Sequence, residues 1–574
     1  MVTGRGILYL SDAVGANEKI YSVSTHHEQS AAYAAYAYGE YTGNLGACIV
    51  STGCAATNAI TSVMCAWQDD VPMIVISGQN MLNETTYHTH AEIRTYGQQE
   101  NNIIALVKPI TKYATMLEKA DDVGFVMDKA LYEATHGRKG PVWIDVPLDV
   151  QNMRVIEESM QHFITCESLL PKVNIESILN RLTISNRPVV LIGSGIRKAD
   201  ALEELDLFLR LSKIPAVYDA SAVDIFTDEN EDSIGAVGSM SGTRAGNFAI
   251  QNADLILAVG CRLSTMLTGQ ERQKFAREAD IIVVDVDENE LKENQFREMV
   301  TLHADPKDVL TLLAEKPEYY KKDRDQWIKQ CRHWKEIFPK NIYKNQDITG
   351  KINMYEAAEV IGRNAEEDAV AITDAGIEEL IFPTTMCLKR KARFIHPVSQ
   401  GAMGFAIPAI LGAYYASKKQ IICIVGDGSI MMNIQELQTI SSQNIPVKIF
   451  VINNNGYAVI RERQKELFRS RTIGTDSSNG VTIPEFHKVA DCFGIDYAVI
   501  SERTYLEETI KKVLSSDKAV LCEIICTEKQ QFLKNSYAMN KKHRILRRTL
   551  EDQFPFLDRE MIRSEMIIEP IEIE

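Results

Sequence analysis

Short apolar runs rich in β-branched residues recur along the whole chain, each followed by turn residues and then a longer stretch of helical period. Ala47 to Ser51, Met73 to Ser77, Val142 to Val146 and Val189 to Ile192 have this character. So do Leu255 to Val259, Ile281 to Val286, Ile421 to Val425 and Val447 to Ile452. A strand that is apolar on both faces must be covered on both faces. Strands alternating with helices therefore predict parallel sheets wrapped by helices on either side. Two polar connections, Gln151 to Asn174 and Lys316 to Lys351, interrupt the pattern, the second carrying Tyr319, Tyr320, Trp327 and Trp334. The expected organisation is three doubly wound α/β domains, 1–160, 175–318 and 350–540. A tail, 541–574, begins basic (Lys541, Lys542, His543, Arg544) and ends acidic (Glu569, Glu572, Glu574).

The bulk numbers narrow the partners. A formal net charge of −16 over 574 residues argues against a nucleic-acid partner, which would need a basic face. Eleven cysteines are dispersed without a CxxC pair, as expected of reduced thiols in a cytoplasmic protein. No apolar run approaches membrane-spanning length, and the eleven histidines form no HExxH-like cluster.

The most specific signal lies in the third domain. Ile-Val-Gly426-Asp427-Gly428-Ser429 closes one apolar run and Val-Ile-Asn453-Asn454-Asn455-Gly456-Tyr457 closes the next; Ile430 to Asn444, of helical spacing, lies between. A strand–helix–strand unit puts both motifs at the carboxyl edge of one parallel sheet, where open α/β sheets bind ligands. Asp427 offers an anionic oxygen, Asn454 a neutral one, and a backbone carbonyl near Gly456 a third. That is a donor set for Mg²⁺, which completes its shell with phosphate and water. Gly428 permits close approach of a phosphate, and Ser429 is expected to open a helix whose amides face it. A lone Gly-Asp-Gly would read as a capped turn; its pairing with Asn-Asn at the neighbouring strand end favours the metal.

The segment Gly426-Asp-Gly-Ser-Ile-Met-Met-Asn433-Ile-Gln-Glu-Leu437 resembles the thiamine-diphosphate enzymes, and in wording the acetolactate synthases, over nearly the whole chain. The resemblance implies thiamine diphosphate and Mg²⁺ as cofactors. It also gives a role to Glu28, in His26-His27-Glu28-Gln29, which alone would read as an acid suited to a helix start. In the family the matching glutamate bonds the pyrimidine N1′. A carboxyl in an apolar site can share a proton there and promote loss of the C2 proton. Gly401-Ala-Met403-Gly404-Phe405 resembles the segment in which a backbone carbonyl (here Gly401) and an apolar wedge (here Met403) shape the cofactor. Met is more often a core residue, but the flanking glycines favour close approach. Glu28 and Met403 lie in different domains and, in the family, come from two subunits, so the resemblance implies a homodimer or a dimer of dimers. The implied reaction is that of a carboligase or lyase acting on pyruvate or another 2-oxo acid and a carbonyl acceptor.

The chain also departs from the acetolactate synthase pattern. Cys54 and Ala55 replace Pro and Gly in Ser51-Thr-Gly53-Cys-Ala-Ala-Thr57-Asn58. In Tyr96-Gly-Gln98-Gln99-Glu100 the family's Gln is kept as Gln99, a second catalytic candidate, while Gln98 replaces Phe. Val459, Ile460 and Arg463 stand for Met, Val and Trp; with Gln98, Val459 and Arg463 are candidates for a more polar acceptor pocket, with Arg463 as its cation or else at the surface. In the middle domain Gly238-Ser-Met240-Ser241-Gly242 and Ala253 to Arg262 resemble the flavin-binding domain. However, Ser241 replaces His, and the run from Arg262 to Gly269 lacks a flavin-side Asp and Arg, so FAD is left open. Thr373-Asp374-Ala-Gly376-Ile377-Glu378-Glu379 occupies the place of a Gly-Gln-His run at the diphosphate, retaining Gly376 but not Gln or His. About 20–25 residues expected before Val2-Thr-Gly4-Arg-Gly6 are absent, through an upstream start or a missing element. The tail Leu550 to Glu560 resembles proteins encoded with surface-sugar biosynthesis. That keeps open two-carbon transfer to a keto-sugar, with simple decarboxylation or a non-catalytic binding role behind it.

Overall fold

The computed structural model describes residues 1–165, 173–227, 230–343, 351–534, 537–539 and 545–571. The basic start of the tail at 541–544 and its acidic residues Glu572 and Glu574 fall outside them. Three sheets, each wholly parallel, succeed one another along the chain. The first contains β1 (Gly46–Val50), β2 (Met73–Gln79), β3 (Tyr113–Met116) and β4 (Pro141–Pro147) in the order β1-β2-β4-β3. The second contains β5 (Pro188–Ile192), β6 (Ala216–Tyr218), β7 (Ser233–Ala236), β8 (Leu255–Val259), β9 (Asp280–Asp285) and β10 (Val300–His303), ordered β10-β9-β8-β5-β6-β7. The third contains β11 (Val370–Ile372), β12 (Arg393–Ile395), β13 (Ile421–Gly426), β14 (Lys448–Asn453), β15 (Asp496–Ile500) and β16 (Val520–Ile525), ordered β12-β11-β13-β14-β16-β15. Every apolar run singled out in the sequence is a strand. β4, β5, β8 and β13 are buried at every position, as expected of strands covered on both faces.

Strand order fixes where a ligand can sit. In the second sheet the winding reverses between β5 and β8, and in the third between β11 and β13; ligands bind at such switch points, beyond the carboxyl ends of the strands. The β13–β14 register sets Gly426 beside Ile452, so Asp427 and Asn454 emerge together past the ends of adjacent strands.

The first and third domains meet through two helices. Glu28–Thr42 is capped by His27, whose Nδ1 accepts from Gln29 N, and it stops at Gly43 in the left-handed region (φ 68°). It crosses Ala406–Ser417 so closely that a Cβ on Gly412 would stand 1.9 Å from the Ala34 carbonyl oxygen. Alanines line the helix, and Phe405 packs edge-on against Tyr33 and Tyr36, with ring centroids 5.2 and 5.0 Å apart.

The connection expected over Lys316 to Lys351 is more than a polar linker. Its Asp325–Ile337 helix buries Trp327 and Trp334 in the core of the second domain, and the Trp327 indole donates to Pro188 O at 2.9 Å. The described part of the tail docks on the same domain. Gln553 donates to Ser239 O (2.8 Å) and accepts from Asn247 Nδ2 (2.8 Å), while Glu551 pairs with Arg277 (3.0 Å). Among the described residues no helix is long and apolar enough to cross a membrane.

The helix crossing is directly testable. Gly412→Val must push the helices apart, and we expect it to cost about 1–3 kcal/mol of stability, read from the urea midpoint. Gly15→Ala, with no atom within 4 Å of the added Cβ, should leave the midpoint unchanged.

Candidate active site

At the carboxyl edge of the third sheet Asp427 is 1% exposed. Its Oδ2 accepts from Gly456 N at 2.9 Å. Burial pushes the Asp427 carboxyl up to about 6, against the opposing pull of the Gly456, Gly428, Asn454 and Asn455 amides. The Asn454 side-chain oxygen, equally buried, has no hydrogen-bond partner. An orphaned amide oxygen beside a buried carboxyl lacks a donor or a cation, and a hard divalent cation fits both groups. Among the described residues no three His, Cys, Asp or Glu side chains form a metal site, so such a cation would rely on carboxylate, amide and backbone oxygens. Gly456 takes φ 96°, and a Cβ there would strike Thr475 O at 2.3 Å; the Tyr457 ring in turn covers Gly428.

Ser429 does not open a long helix. A 3-10 turn, Ile430–Met432, precedes a separate helix, Glu436–Ser442. The break falls at Asn433, whose side chain is used elsewhere. Its Nδ2 donates to Gly404 O (2.8 Å) and Gln29 Oε1 (3.0 Å), and its Oδ1 accepts from Ser30 Oγ (3.0 Å). Ser429 Oγ donates to Asp374 Oδ2 at 2.6 Å and accepts from Gly404 N at 2.9 Å. Asp374, fully buried, has its carboxyl pushed up to about 7 by burial, although Ser429 and the Ala406 and Ala375 amides pull it down.

Asn433 ties the first domain to this edge. Its partners Gln29 and Ser30 come directly after Glu28, and His26 N donates to Glu436 Oε1 at 3.0 Å. Through Asn433 the start of the Glu28 helix is bonded to the Gly404 turn within the chain. Glu28 is half-buried rather than enclosed in an apolar pocket; Asn58 donates to its Oε2 at 2.9 Å. Gly401 (φ 54°) and Met403 are half-buried in the turn before Gly404. Gln99 is exposed with φ 63°, its carbonyl oxygen where a Cβ on Gly53 would come within 2.2 Å; Gln98 is exposed and accepts from Arg5 Nη1 at 2.8 Å. Val459 is half-buried, packed against the core on the Ala458–Leu467 helix. On the same helix the Arg463 side chain is 51% exposed, with its Nη1 3.4 Å from Glu466 Oε2.

Two residues of this edge are not apparent from the sequence. Arg461, 3% exposed, donates to Asn454 O (2.8 Å) and Asn455 O, holding the Asn454–Gly456 turn from behind. Its one signal is a cation a helical turn past Asn-Asn-Asn-Gly. Glu378 reads in the sequence only as the loss of a His. It is 3% exposed, and its carboxyl fills the space over Gly376 and Gly426.

A second concavity, about 1010 Å³, lies at the switch point of the second sheet. Ser194, Gly195, Gly260 and Arg262 line it from the β5 and β8 exits, Ser241 from the loop after β7, and His396 from the third domain. Arg138 closes one rim by pairing with Asp70 (2.7 Å), Asp287 (2.9 Å) and Glu290 (3.1 Å).

Arg461→Met should free a buried and a part-buried carbonyl and cost about 2–3 kcal/mol, read by denaturation; an unchanged midpoint would show that the turn needs no clamp. A second test uses pH. Asp427's carboxyl in the fold lies above its ordinary range, so the protonated form is favoured. That contribution is complete below about pH 4 and is lost as pH rises through about 6. Added Mg²⁺ should therefore raise the melting temperature little at pH 5 and progressively more up to pH 7, and this pH-dependent gain should vanish in Asp427→Asn. A Mg²⁺ effect of equal size at both pH values would contradict the assignment.

The chain as a whole is similar to known proteins. Residues 1–103 match the thiamine pyrophosphate enzyme N-terminal TPP binding domain, residues 175–313 the central domain, and residues 374–524 the C-terminal TPP binding domain. The acetolactate synthase large subunit of Porphyra purpurea is 30% identical over 550 residues, covering 93% of this chain and 90% of the relative. That of Haemophilus influenzae is 28% identical over 539 residues (92% and 91%), and the isozyme 2 large subunit of Escherichia coli K12 is 29% identical over 504 residues (88% of each). With its three parallel-sheet domains in the same order, the chain belongs to the thiamine pyrophosphate enzymes and is an acetolactate-synthase-like member of them.

Proposed function

We propose that the protein is a carboligase of the acetolactate type, joining the two-carbon remainder of pyruvate to a carbonyl acceptor, with a second pyruvate as the first acceptor to test. The observation that carries it is the junction at Asn433. One side chain, on the segment that follows the Gly-Asp-Gly loop, bonds both to the residues just after Glu28 and to the Gly404 turn, which supports a shared cleft for the acid, the wedge and the metal donors. The acetolactate synthase relatives support pyruvate as donor. Asp427, Asn454 and the Gly456 backbone would hold Mg²⁺, and Gly376, Gly426, Gly428 and Ser429 would border the diphosphate. When bound, thiamine diphosphate supplies the carbon nucleophile and the electron sink for loss of CO₂. The chain's own part is to bind, orient and move protons. Asn58 donates to Glu28 Oε2, so Oε1 would be the oxygen offered to the pyrimidine nitrogen; Gly401 and Met403 would support the ring, and Gln99 would be a polar group beside the reacting carbonyls.

Arg463, largely exposed and set against Glu466, gives a polar acceptor such as a keto-sugar no specific support, so acetolactate formation takes precedence. Exposed Ile460, Leu467, Phe468 and Ile473, on and just after one helix, fit coverage by a second copy in a cytoplasmic homodimer. A second cofactor is supported by the 1010 Å³ cavity at the β5/β8 switch point, the position in which such sheets take a dinucleotide. We assign it to FAD, to be checked by the visible absorption of the purified protein.

Purified protein with thiamine diphosphate and Mg²⁺ should release CO₂ from pyruvate and form acetolactate, one CO₂ per product. Glu28→Gln should lower that rate by about a hundredfold or more while leaving the melting temperature unchanged. CO₂ release without acetolactate would reduce the reading to a decarboxylase; no release from any 2-oxo acid would overturn it.

A further inference from the structure

The switch point of the third sheet is lined by two glycines, Gly376 after β11 and Gly426 at the end of β13. Glycines at adjacent strand exits open a gap that backbone and a ligand phosphate can share. Here a side chain already fills it. A Cβ on Gly376 would lie 2.5 and 2.6 Å from the two carboxyl oxygens of Glu378, and one on Gly426 would lie 2.4 Å from its Oε1. Glu378 stands in the first turn of the Ile377–Thr385 helix, and its carboxyl folds back to accept from its own backbone amide at the helix N-terminus. It therefore occupies both the glycine-lined gap and the start of a helix, the two features that receive a phosphate in α/β proteins. The acidic groups facing it are Asp374, Glu379 and Asp427. Burial beside them disfavours any further negative charge in this space.

We propose that Glu378 is an internal stand-in for the cofactor's diphosphate: its carboxyl fills the phosphate position and must swing out of the gap when the diphosphate enters. This rests on the thiamine-diphosphate reading of the crevice and adds to it a residue that sets cofactor affinity without taking part in the chemistry. Binding then has to displace a seated carboxyl, and the apparent affinity falls by the fraction of molecules in which the gap is open. Emptying the gap should tighten binding, whereas deleting a residue that holds the ligand would weaken it.

The experiment is calorimetric titration of the full chain in excess Mg²⁺ with two probes, thiamine diphosphate and inorganic diphosphate. Wild type is compared with Glu378→Ala and Glu378→Ser, which empty the gap, and with Glu378→Gln, which keeps it filled. The alanine and serine variants should bind both probes roughly tenfold or more tightly than wild type, and the glutamine variant about as tightly as wild type. Should Glu378→Ala melt below the assay temperature, the serine variant decides. Equal or weaker binding by the folded gap-emptying variants would overturn the proposal and make Glu378 a holder of the cofactor. Tighter binding of inorganic diphosphate with no binding of thiamine diphosphate would uphold the stand-in and overturn the functional reading. No binding of either probe by any of the proteins would overturn both.

Discussion

The crossing of the Glu28–Thr42 and Ala406–Ser417 helices governs most of what the molecule can do. Helices normally pack with 8–10 Å between axes, the distance being set by the side chains at contact. Here Ala34 and Gly412 face one another with no room for a Cβ, so the backbones meet directly. That contact leaves little freedom to slide. It therefore sets the height at which the Glu28 end of one helix meets the Gly404 end of the other. A larger residue at the crossing would move the site as a whole, because Gln29, Ser30 and Gly404 are bonded to the single Asn433 side chain.

Around that fixed point the site is built from irregular backbone held by buried side chains. Strand exits end in glycines so that loops can come close. Each such loop then needs its polar groups satisfied locally. Asn433 does this for the Gly404 turn, Arg461 for the carbonyls of Asn454 and Asn455, and Asp374 for the Gly404 and Ala406 amides. These residues do not need to touch a reacting atom to matter: they hold the turns that carry the candidate donors, as a supporting shell does for any metal or phosphate site.

The same physics decides which features are legible in the sequence. Strands buried on both faces appear as unbroken apolar runs, so β4, β5, β8 and β13 are legible. β6, β11 and β12 are three residues long, and β15 is largely exposed, so neither length nor periodicity marks them. The Gly-Asp-Gly and Asn-Asn motifs are legible because two polar motifs closing successive strands have one shared destination. Glu28 takes its meaning from family resemblance, since an acid at a helix start is ordinary. Arg461 and Asn433 are not legible as site residues: their roles depend on carbonyls and amides that only the folded backbone brings near. The interruption after Ser429 is hidden for the same reason. The apolar spacing of Ile430 to Asn444 is helical, but Asn433 is drawn to Gly404 and Gln29, and the regular helix begins only at Glu436.

Charge adds a constraint that backbone geometry alone does not. Asp374, Glu378, Glu379 and Asp427 are gathered at one end of the third sheet, each pushed upward chiefly by burial. The buried cation nearby, Arg461, is directed at two backbone carbonyls and lies 3.6 Å from Asp476 and 3.7 Å from Glu528, so its donors are spent on the turn rather than on this cluster. Glu379 has a partial partner in His396, 3.6 Å away. Carboxyls so placed cannot all ionise without added positive charge. A divalent cation on Asp427 and Asn454 would supply it, and as the largest local charge it would reverse the preference of its neighbours. The same acidity makes metal-free diphosphate an unfavourable guest, so a cation would have to be in place before the phosphate or arrive with it.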